Sequence, residues 1–192
     1  MTTALHRFEL EPFGGQHERE TLGLQGVRVQ GTVALERQPE GATLGLNYRL
    51  EGDLGSAASA VLLPPPGPPS RRDGLWQHTC LEAFLAPADG EPYWELNLAP
   101  SGDWALYRFA AYRRGQQSPV LGNLPLTVVN RAEQLELSLS FPLPGELASA
   151  NQLEVGVTAV LEQRSGALSY WALHHPAPQA DFHHRGGFLL RL

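Results

Sequence analysis

The sequence contains few cysteines, few charged residues and no long apolar runs. Cys80 is the one cysteine, so the chain cannot form an internal disulfide and shows no need for an oxidising compartment. Charged residues make up 18% of the 192 residues. No uninterrupted apolar run approaches the length of a membrane-spanning helix, so we expect no membrane partner.

Positive charge is also scarce. The formal net charge is −6, and the arginines occur as short pairs, at 71–72 and 113–114, rather than as a stripe. A protein that binds a nucleic-acid backbone normally presents a basic surface. We therefore expect no nucleic-acid partner.

The N-terminal residues, MTTALHRFELEPF, have no basic region followed by an apolar run. We therefore expect no signal peptide, and a cytoplasmic location by default. With 42% hydrophobic residues, the chain reads as globular, and its length fits one domain over residues 1–192. The run LLPPPGPPS at 62–70 could be a stiff linker. We expect instead a loop within that domain, because too few strands precede it to close a sandwich.

Apolar residues alternate with polar ones over much of the chain, bounded by Gly, Pro and Asn. The alternation covers residues 27–35, with a slip at Gly31, and residues 44–50, 135–141 and 153–161. It indicates antiparallel strands with one buried face. The other strand candidates are 5–10, 60–63, 79–85, 93–99, 104–112, 124–129, 168–173 and 187–192.

These patterns predict about a dozen short strands and little helix. The best helical candidate is one or two turns at 144–150. We therefore predict an all-β, antiparallel β-sandwich, either immunoglobulin-like or jelly-roll-like.

Polar residues interrupt two strands that are otherwise apolar. In residues 79–85, Glu82 shares a face with Cys80, and in residues 93–99, Glu95 shares a face with Asn97. A short loop separates the strands, so a hairpin would bring these polar groups onto one face. The alternative is a solvated outer face. A buried carboxylate costs several kcal/mol unless it is paired or hydrated. Two carboxylates and an amide on one face therefore predict a surface that forms hydrogen bonds with hydroxyl groups.

Histidines and the cysteine raise other possibilities. His183 and His184, with Asp181 nearby, are weak candidates for a metal site. His78 beside Cys80 could form a nucleophile and base, although an inert buried cysteine is the simpler interpretation. Some β-sandwiches hold haem between a methionine and a histidine. Met1, the initiator, is the one methionine here, so haem would need two histidine ligands, which is another alternative. We predict no cofactor, and a non-catalytic module rather than an enzyme.

Four segments carry a resemblance to a known family. They are LWQHTCLEAFL, YWELNLAPSGDWALYRF, LSLSFPLPGEL and LEQRSGALSYWALHHPAPQADFHHRGGFLLRL. In this order the chain resembles the DOMON-like family and its relative, the family 9 carbohydrate-binding modules. The resemblance extends over roughly residues 71–192, while the first seventy residues match only as generic strands.

The resemblance implies a β-sandwich with a cleft in which two tryptophans flank a sugar and polar side chains hold its hydroxyls. The matching tryptophans are Trp76 and Trp171. The matching polar candidates are Glu82, Glu95, Asn97 and Arg164. The expected partner is thus a small saccharide or similar polyol. A haem-binding or redox module of the DOMON type, a protein-interaction domain and an enzyme of unknown reaction stay as alternatives.

Overall fold

The computed structural model describes residues 2–54, 60–122 and 124–192. Within these ranges the protein is built from eleven strands with little helix, which confirms the prediction of an all-β sandwich. The strands are β1 (Thr2–Pro12), β2 (Arg28–Gln38), β3 (Gly41–Glu51), β4 (Cys80–Pro87), β5 (Tyr93–Leu98), β6 (Trp104–Phe109), β7 (Thr127–Arg131), β8 (Gln134–Pro142), β9 (Leu153–Glu162), β10 (Leu168–Ala172) and β11 (Leu190–Arg191). The helices are α1 (Gly15–Thr21) and α2 (Gly145–Ala148), with 3-10 turns at Leu75–Gln77 and Arg185–Gly187.

The strands form two antiparallel layers. Sheet A has the order β1-β2-β3-β8-β7, and sheet B has the order β6-β5-β4-β9-β10, with β11 beside β9. The end of β1 leaves sheet A and joins sheet B, where Glu11 pairs with Ala172 and Pro12 pairs with Trp171. This strand therefore connects the two layers through its hydrogen bonds.

The main core lies between the sheets. Alternate residues of β3 and β8, such as Leu46 and Leu137, are buried against alternate residues of β4 and β9, such as Ala83 and Val157. Period-two alternation places these side chains on one face of each sheet. Tyr48 crosses the core and donates its hydroxyl hydrogen bond to the backbone carbonyl of Glu82.

The slip predicted at Gly31 is wrong. The pairing of β2 with β3 runs without interruption from Arg28 opposite Glu51 to Gln38 opposite Gly41. Gly31 occupies an inward position of the regular alternation. A Cβ there would lie 2.0 Å from the backbone oxygen of Asn47 and 2.6 Å from Cζ of Phe8. The ring of Phe8 therefore fills the space that a side chain at residue 31 would need.

Several short elements differ from the expectation. Residues 60–63 form no strand, and Val61 makes an isolated bridge to Gln163. The helix α1 has no buried residue, so the apolar periodicity that reveals a helix in a sequence is missing there. The proline-rich segment hydrogen-bonds to sheet B and its turns, from Leu62 N to Glu162 O at 2.7 Å and from Gly67 N to Ser101 O at 2.7 Å. None of the described helices is long and apolar enough to cross a membrane.

Candidate functional site

Sheet B carries a second apolar cluster on the face that points away from the main core. This outer cluster is formed by Leu75, Cys80, Phe84, Ala86, Tyr93, Ala99, Ala105, Tyr107, Phe109 and Phe188. The C-terminal segment packs on it closely. A Cβ at Gly156 would lie 2.8 Å from Cδ1 of Phe188, so the glycine in β9 leaves room for that ring. Strands β4 and β5 are thus buried on both faces.

A cavity of about 530 Å³ opens over this face of sheet B. Strands form its floor, and residues 113–116 and 180–183 contribute to its walls. It is lined by Trp76, Gln77, Glu82, Phe84, Glu95, Phe109, Arg113, Gln116, Val160, Leu168, Tyr170, Ala180, Phe182 and His183. One concave surface therefore combines aromatic rings with polar groups, which is typical of a small-molecule site.

Two buried carboxyl groups lie in the floor of the cavity. Glu82 in β4 is opposite Asn97 in β5, and Glu95 lies two residues before Asn97, so the sheet brings all three side chains onto one face. Asn97 donates a hydrogen bond to Glu95 Oε1 at 2.7 Å. Thr158 in β9 donates to Glu82 Oε2 at 3.3 Å. Glu82 Oε1 is buried and has no hydrogen-bond partner in the described part of the chain.

Burial controls the protonation of this carboxyl pair. Burial raises the pKa of Glu82 well above its usual value, and the nearby Glu95 raises that pKa further, against the opposing hydrogen bonds of Thr158 and Cys80. Burial also raises the pKa of Glu95, against the hydrogen bond from Asn97 and the charge of Arg113. Two carboxylates that share a site resist ionising together. The pair therefore tends to retain a proton.

His183 closes the other side of the cavity as a neutral ring. Burial, with the nearby charge of Arg113, lowers the pKa of His183 to about 4. Its Nδ1 lies 2.7 Å from the hydroxyl of Tyr93, which accepts a hydrogen bond from the Arg113 backbone N–H at 3.1 Å. We assign the ring proton to Nε2, because the Tyr93 hydroxyl is then free to donate to Nδ1. His183 Nε2 is 3.8 Å from Glu95 Oε2.

Asp181 ties the two wall loops together. Its carboxylate accepts hydrogen bonds from the Tyr112 hydroxyl at 2.6 Å and from the Arg113 guanidinium at 2.8 Å. It also accepts one from the backbone N–H of His183 at 3.2 Å. Although burial acts in the opposite direction, these bonds keep the pKa of Asp181 below its usual value. The loop containing Arg113 is thereby fixed to the loop containing His183.

Trp76 forms part of the rim. It lies in the 3-10 turn that follows Gly74, whose φ of 78° places that backbone in the left-handed region favoured by glycine. The Trp76 side chain is 40% exposed, and its ring meets the ring of Tyr107 edge to face at 6.0 Å. The hydroxyl of Tyr107 donates to Asp73 at 2.7 Å, which anchors the start of this turn. An aromatic ring is thus held at the mouth of the cavity.

The structure does not bring Trp171 and Arg164 to this cavity. Trp171 is 0% exposed in the main core, where its indole donates to Ser169 at 2.9 Å and Arg19 lies over its ring at 4.7 Å. The neighbouring Tyr170 lines the cavity instead, because adjacent residues of a strand point to opposite faces. Arg164 is exposed in the turn between β9 and β10 and is not among the lining residues. The expectation that Trp76 and Trp171 lie across one cleft is therefore wrong in its placement of Trp171, while Trp76 does line the cavity.

The nucleophile interpretation of Cys80 does not fit the geometry. The thiol is buried and lies 3.6 Å from Asn97 Oδ1, while the exposed His78 places Nδ1 2.8 Å from Glu162. Burial raises the pKa of Cys80 well above its usual value, and Glu82 raises it further. The thiol therefore stays protonated, and His78, the base that the sequence suggested for it, contacts Glu162 instead.

The histidines do not converge on one point. Of the described histidines, only His183 lines the cavity. His184 is exposed and accepts from the backbone N–H of Gly186 at 3.0 Å, and His175 Nε2 lies 3.0 Å from the carbonyl of Glu11. No cluster of three or more His, Cys, Asp or Glu side chains suited to a metal ion occurs in residues 2–54, 60–122 and 124–192.

Sequence reasoning missed several side chains of the cavity. Strand β10 supplies Tyr170, and the loops supply Arg113, Gln116, Phe182 and, as a neutral hydrogen-bonding group, His183. The segment ADFHH carried a signal, because Asp181 and His183 are spaced to share one loop, but the pattern suggested only a metal site. Nothing in the sequence indicates that residues 113–116 fold over sheet B.

Comparison with known proteins gives support at the level of the fold. No protein-family model and no curated protein matches the chain. A crystal structure of a protein from Bacteroides uniformis ATCC 8492, provisionally named as carbohydrate-binding, is similar with a TM-score of 0.60 and 12% identity, over 96% of this chain and 84% of that chain. A family 9 carbohydrate-binding module from Caldicellulosiruptor kristjanssonii, in complex with glucose, gives a TM-score of 0.45 and 7% identity, over 79% of this chain and 69% of that chain.

These matches do not bear on the DOMON part of the resemblance, which has no support among them. The identities are too low to assign a family or a ligand. The chain therefore shares the fold of the Bacteroides uniformis protein.

Proposed function

We propose that the protein is a non-catalytic module that binds a small saccharide or similar polyol in the cavity on the outer face of sheet B. The observation that carries the proposal is the lining of that cavity, in which the exposed ring of Trp76 overlooks a floor of buried polar groups. A sugar presents both apolar C–H faces and hydroxyl edges, so it needs both kinds of surface.

The polar groups suit a ligand rich in hydroxyls. Glu82 Oε1, which has no partner among the described residues, can accept a hydrogen bond, or donate one when the carboxyl group is protonated. His183 Nε2–H is a neutral donor. Gln77 and Gln116 add amides that both donate and accept. A buried polar atom without a partner costs roughly 1–3 kcal/mol, and a ligand hydroxyl at Glu82 would remove that cost.

The name of the Bacteroides uniformis protein agrees with this proposal without establishing it. We propose no covalent chemistry, because the buried thiol of Cys80 is protonated and His78 contacts Glu162 rather than the thiol.

A saccharide screen tests the proposal. Thermal shift followed by calorimetry with mono- and oligosaccharides should find at least one ligand that raises the melting temperature. The variant Trp76→Ala should weaken binding by roughly tenfold, since aromatic stacking and the buried ring area contribute about 1–2 kcal/mol.

Phe13→Ala is the matched control, because Phe13 is 38% exposed and is not among the residues that line the cavity. It should bind as the parent does. A Trp76→Ala variant with unchanged affinity, or a panel in which no saccharide binds, would reject the proposal.

A further inference from the structure

The cavity contains two acidic side chains, Glu82 and Glu95, and no arginine of the described residues forms an ion pair with either. Glu82 is 2% exposed, and its Oε1 finds no hydrogen-bond donor among the described residues. The nearest positive group in the lining is Arg113, whose guanidinium is engaged by Asp181 at 2.8 Å. A buried carboxyl group normally has a cation or several donors beside it. Here the described residues supply no such partner, although Glu82 lines a cavity that a ligand can enter.

Aromatic rings surround the same space. Trp76, Phe109, Tyr170 and Phe182 contribute to the lining, and Tyr170 meets Phe182 edge to face at 5.9 Å. The face of an aromatic ring attracts a cation, most strongly when both are shielded from water. Buried carboxyls at the floor and rings around them thus form a suitable environment for an ammonium group.

We propose that the ligand of this cavity is an amino sugar, whose protonated amine binds between Glu82 and Glu95 while its ring packs against Trp76. This inference rests on the proposed function, since it names the class of saccharide that the same site takes. The ammonium supplies the donors that Glu82 Oε1 lacks and forms charge-assisted hydrogen bonds with the carboxyl pair.

The proposal couples binding to a proton. The titratable and charged groups that face the carboxyl pair are Cys80, Tyr48 from sheet A, Tyr93, Tyr107, Arg113 and His183. The free pair favours a protonated state, because burial disfavours its charge. An ammonium favours the ionised pair, so its arrival releases a proton to solvent. The affinity for an amino sugar should therefore rise with pH as long as the amine stays protonated.

Calorimetry at about pH 6, where an amine is protonated, tests this inference with the whole chain. The ligands are glucosamine, glucose, N-acetylglucosamine and ethanolamine. Glucosamine should bind roughly tenfold or more tightly than the other three, the ratio that one charge-assisted hydrogen bond supplies. Repeating the titration in two buffers of different ionisation enthalpy should reveal proton release with glucosamine alone.

The variant Glu82→Gln should remove the preference for glucosamine over glucose while it retains the shape of the site. Glu36→Gln is the control, because Glu36 is exposed on β2. It should keep the preference of the parent.

The outcomes separate the two proposals. Equal binding of glucose and glucosamine by the parent would overturn the amino-sugar inference and leave the proposed function standing. Ethanolamine that binds as tightly as glucosamine would overturn the assignment to an amino sugar. Failure of all saccharides in the panel would overturn the proposed function and this inference together.

Discussion

The chemistry of the site at the residue scale depends on which face of a strand a side chain occupies. Alternation in the sequence predicts that Glu82, Glu95 and Asn97 share a face, and the structure brings them together across β4 and β5. The same reasoning does not decide whether Trp171 faces the core or the cavity, because apolar or aromatic residues lie on both faces of β10. A shift of one residue exchanges the two faces of a strand. Only tertiary packing decides that Tyr170 meets the cavity and Trp171 meets the core.

Glu82 makes a prediction about stability. Its folded-state pKa is raised, so the group costs little stability below its unfolded-state pKa, and the cost grows as the pH rises towards the folded-state value. At neutral pH the variant Glu82→Gln should therefore have a higher melting temperature than the parent. Its free energy of unfolding should be higher by on the order of 1 kcal/mol. The difference should shrink as the pH falls to about 4.5.

Thermal melts over this pH range, with Glu36→Gln as the exposed control, measure that difference. A difference between Glu82→Gln and parent that stays constant from acidic to neutral pH would show that Glu82 does not titrate as described.

At the scale of elements, the regular strands are the most predictable parts and the loops the least. Strands β3, β8 and β9 alternate because one face of each packs in the main core, and the sequence reveals that pattern directly. The loops near residues 113 and 181 depend on contacts between distant residues, such as Asp181 with Arg113. No local pattern encodes such a contact, so the walls of the site could not be predicted.

Gly31 tests the packing of β2. Gly31→Ala should destabilise the protein by about 2 kcal/mol or more, because its Cβ would overlap the Asn47 carbonyl oxygen at 2.0 Å. Gly45→Ala in β3 is the matched control, since its Cβ would meet the nearest atom, Cβ of Ala34, at an ordinary 3.7 Å. Urea unfolding should find Gly45→Ala equal to or more stable than the parent. Equal destabilisation of both variants would refute the close approach at Gly31.

Asp181 tests the connection between the wall loops. Asp181→Asn should weaken the hydrogen bonds to Tyr112 and Arg113 and cost roughly 1–2 kcal/mol. Because the pKa of Asp181 is lowered, the parent should lose this contribution as the pH falls, whereas the variant has none to lose.

Hydrogen exchange of the backbone amides near residues 113 and 183 measures the effect, with Asp89→Asn in the exposed turn after β4 as control. Faster exchange is expected in Asp181→Asn only. Unchanged exchange there would mean that the loops are held by other contacts.

On the scale of the whole molecule, the two sheets share one core, to which both halves of the sequence contribute. Strands β1 to β3 precede the proline-rich segment and pack against strands that follow it. The sequence predicts one domain over residues 1–192, and this stays a prediction that unfolding can test. Trp94, Trp104 and Trp171 are buried in the main core and report on its integrity.

One domain predicts one cooperative transition. Far-ultraviolet circular dichroism and tryptophan fluorescence should give coincident unfolding curves in urea, as expected for two-state unfolding. Two separated transitions, or a fluorescence change that precedes loss of the sheet signal, would indicate parts that unfold independently.

The central claim is that a saccharide binds beside Trp76. Of the four tryptophans, Trp76 alone is exposed, at 40%. The indole N–H signals in a ¹H–¹⁵N correlation spectrum are therefore a direct reporter during titration with glucosamine and other saccharides. We predict that the Trp76 signal shifts with saturation while the other three stay in place, and that Trp76→Phe removes the moving signal. Four stationary indole signals across the panel, or a moving signal that survives in Trp76→Phe, would contradict the account.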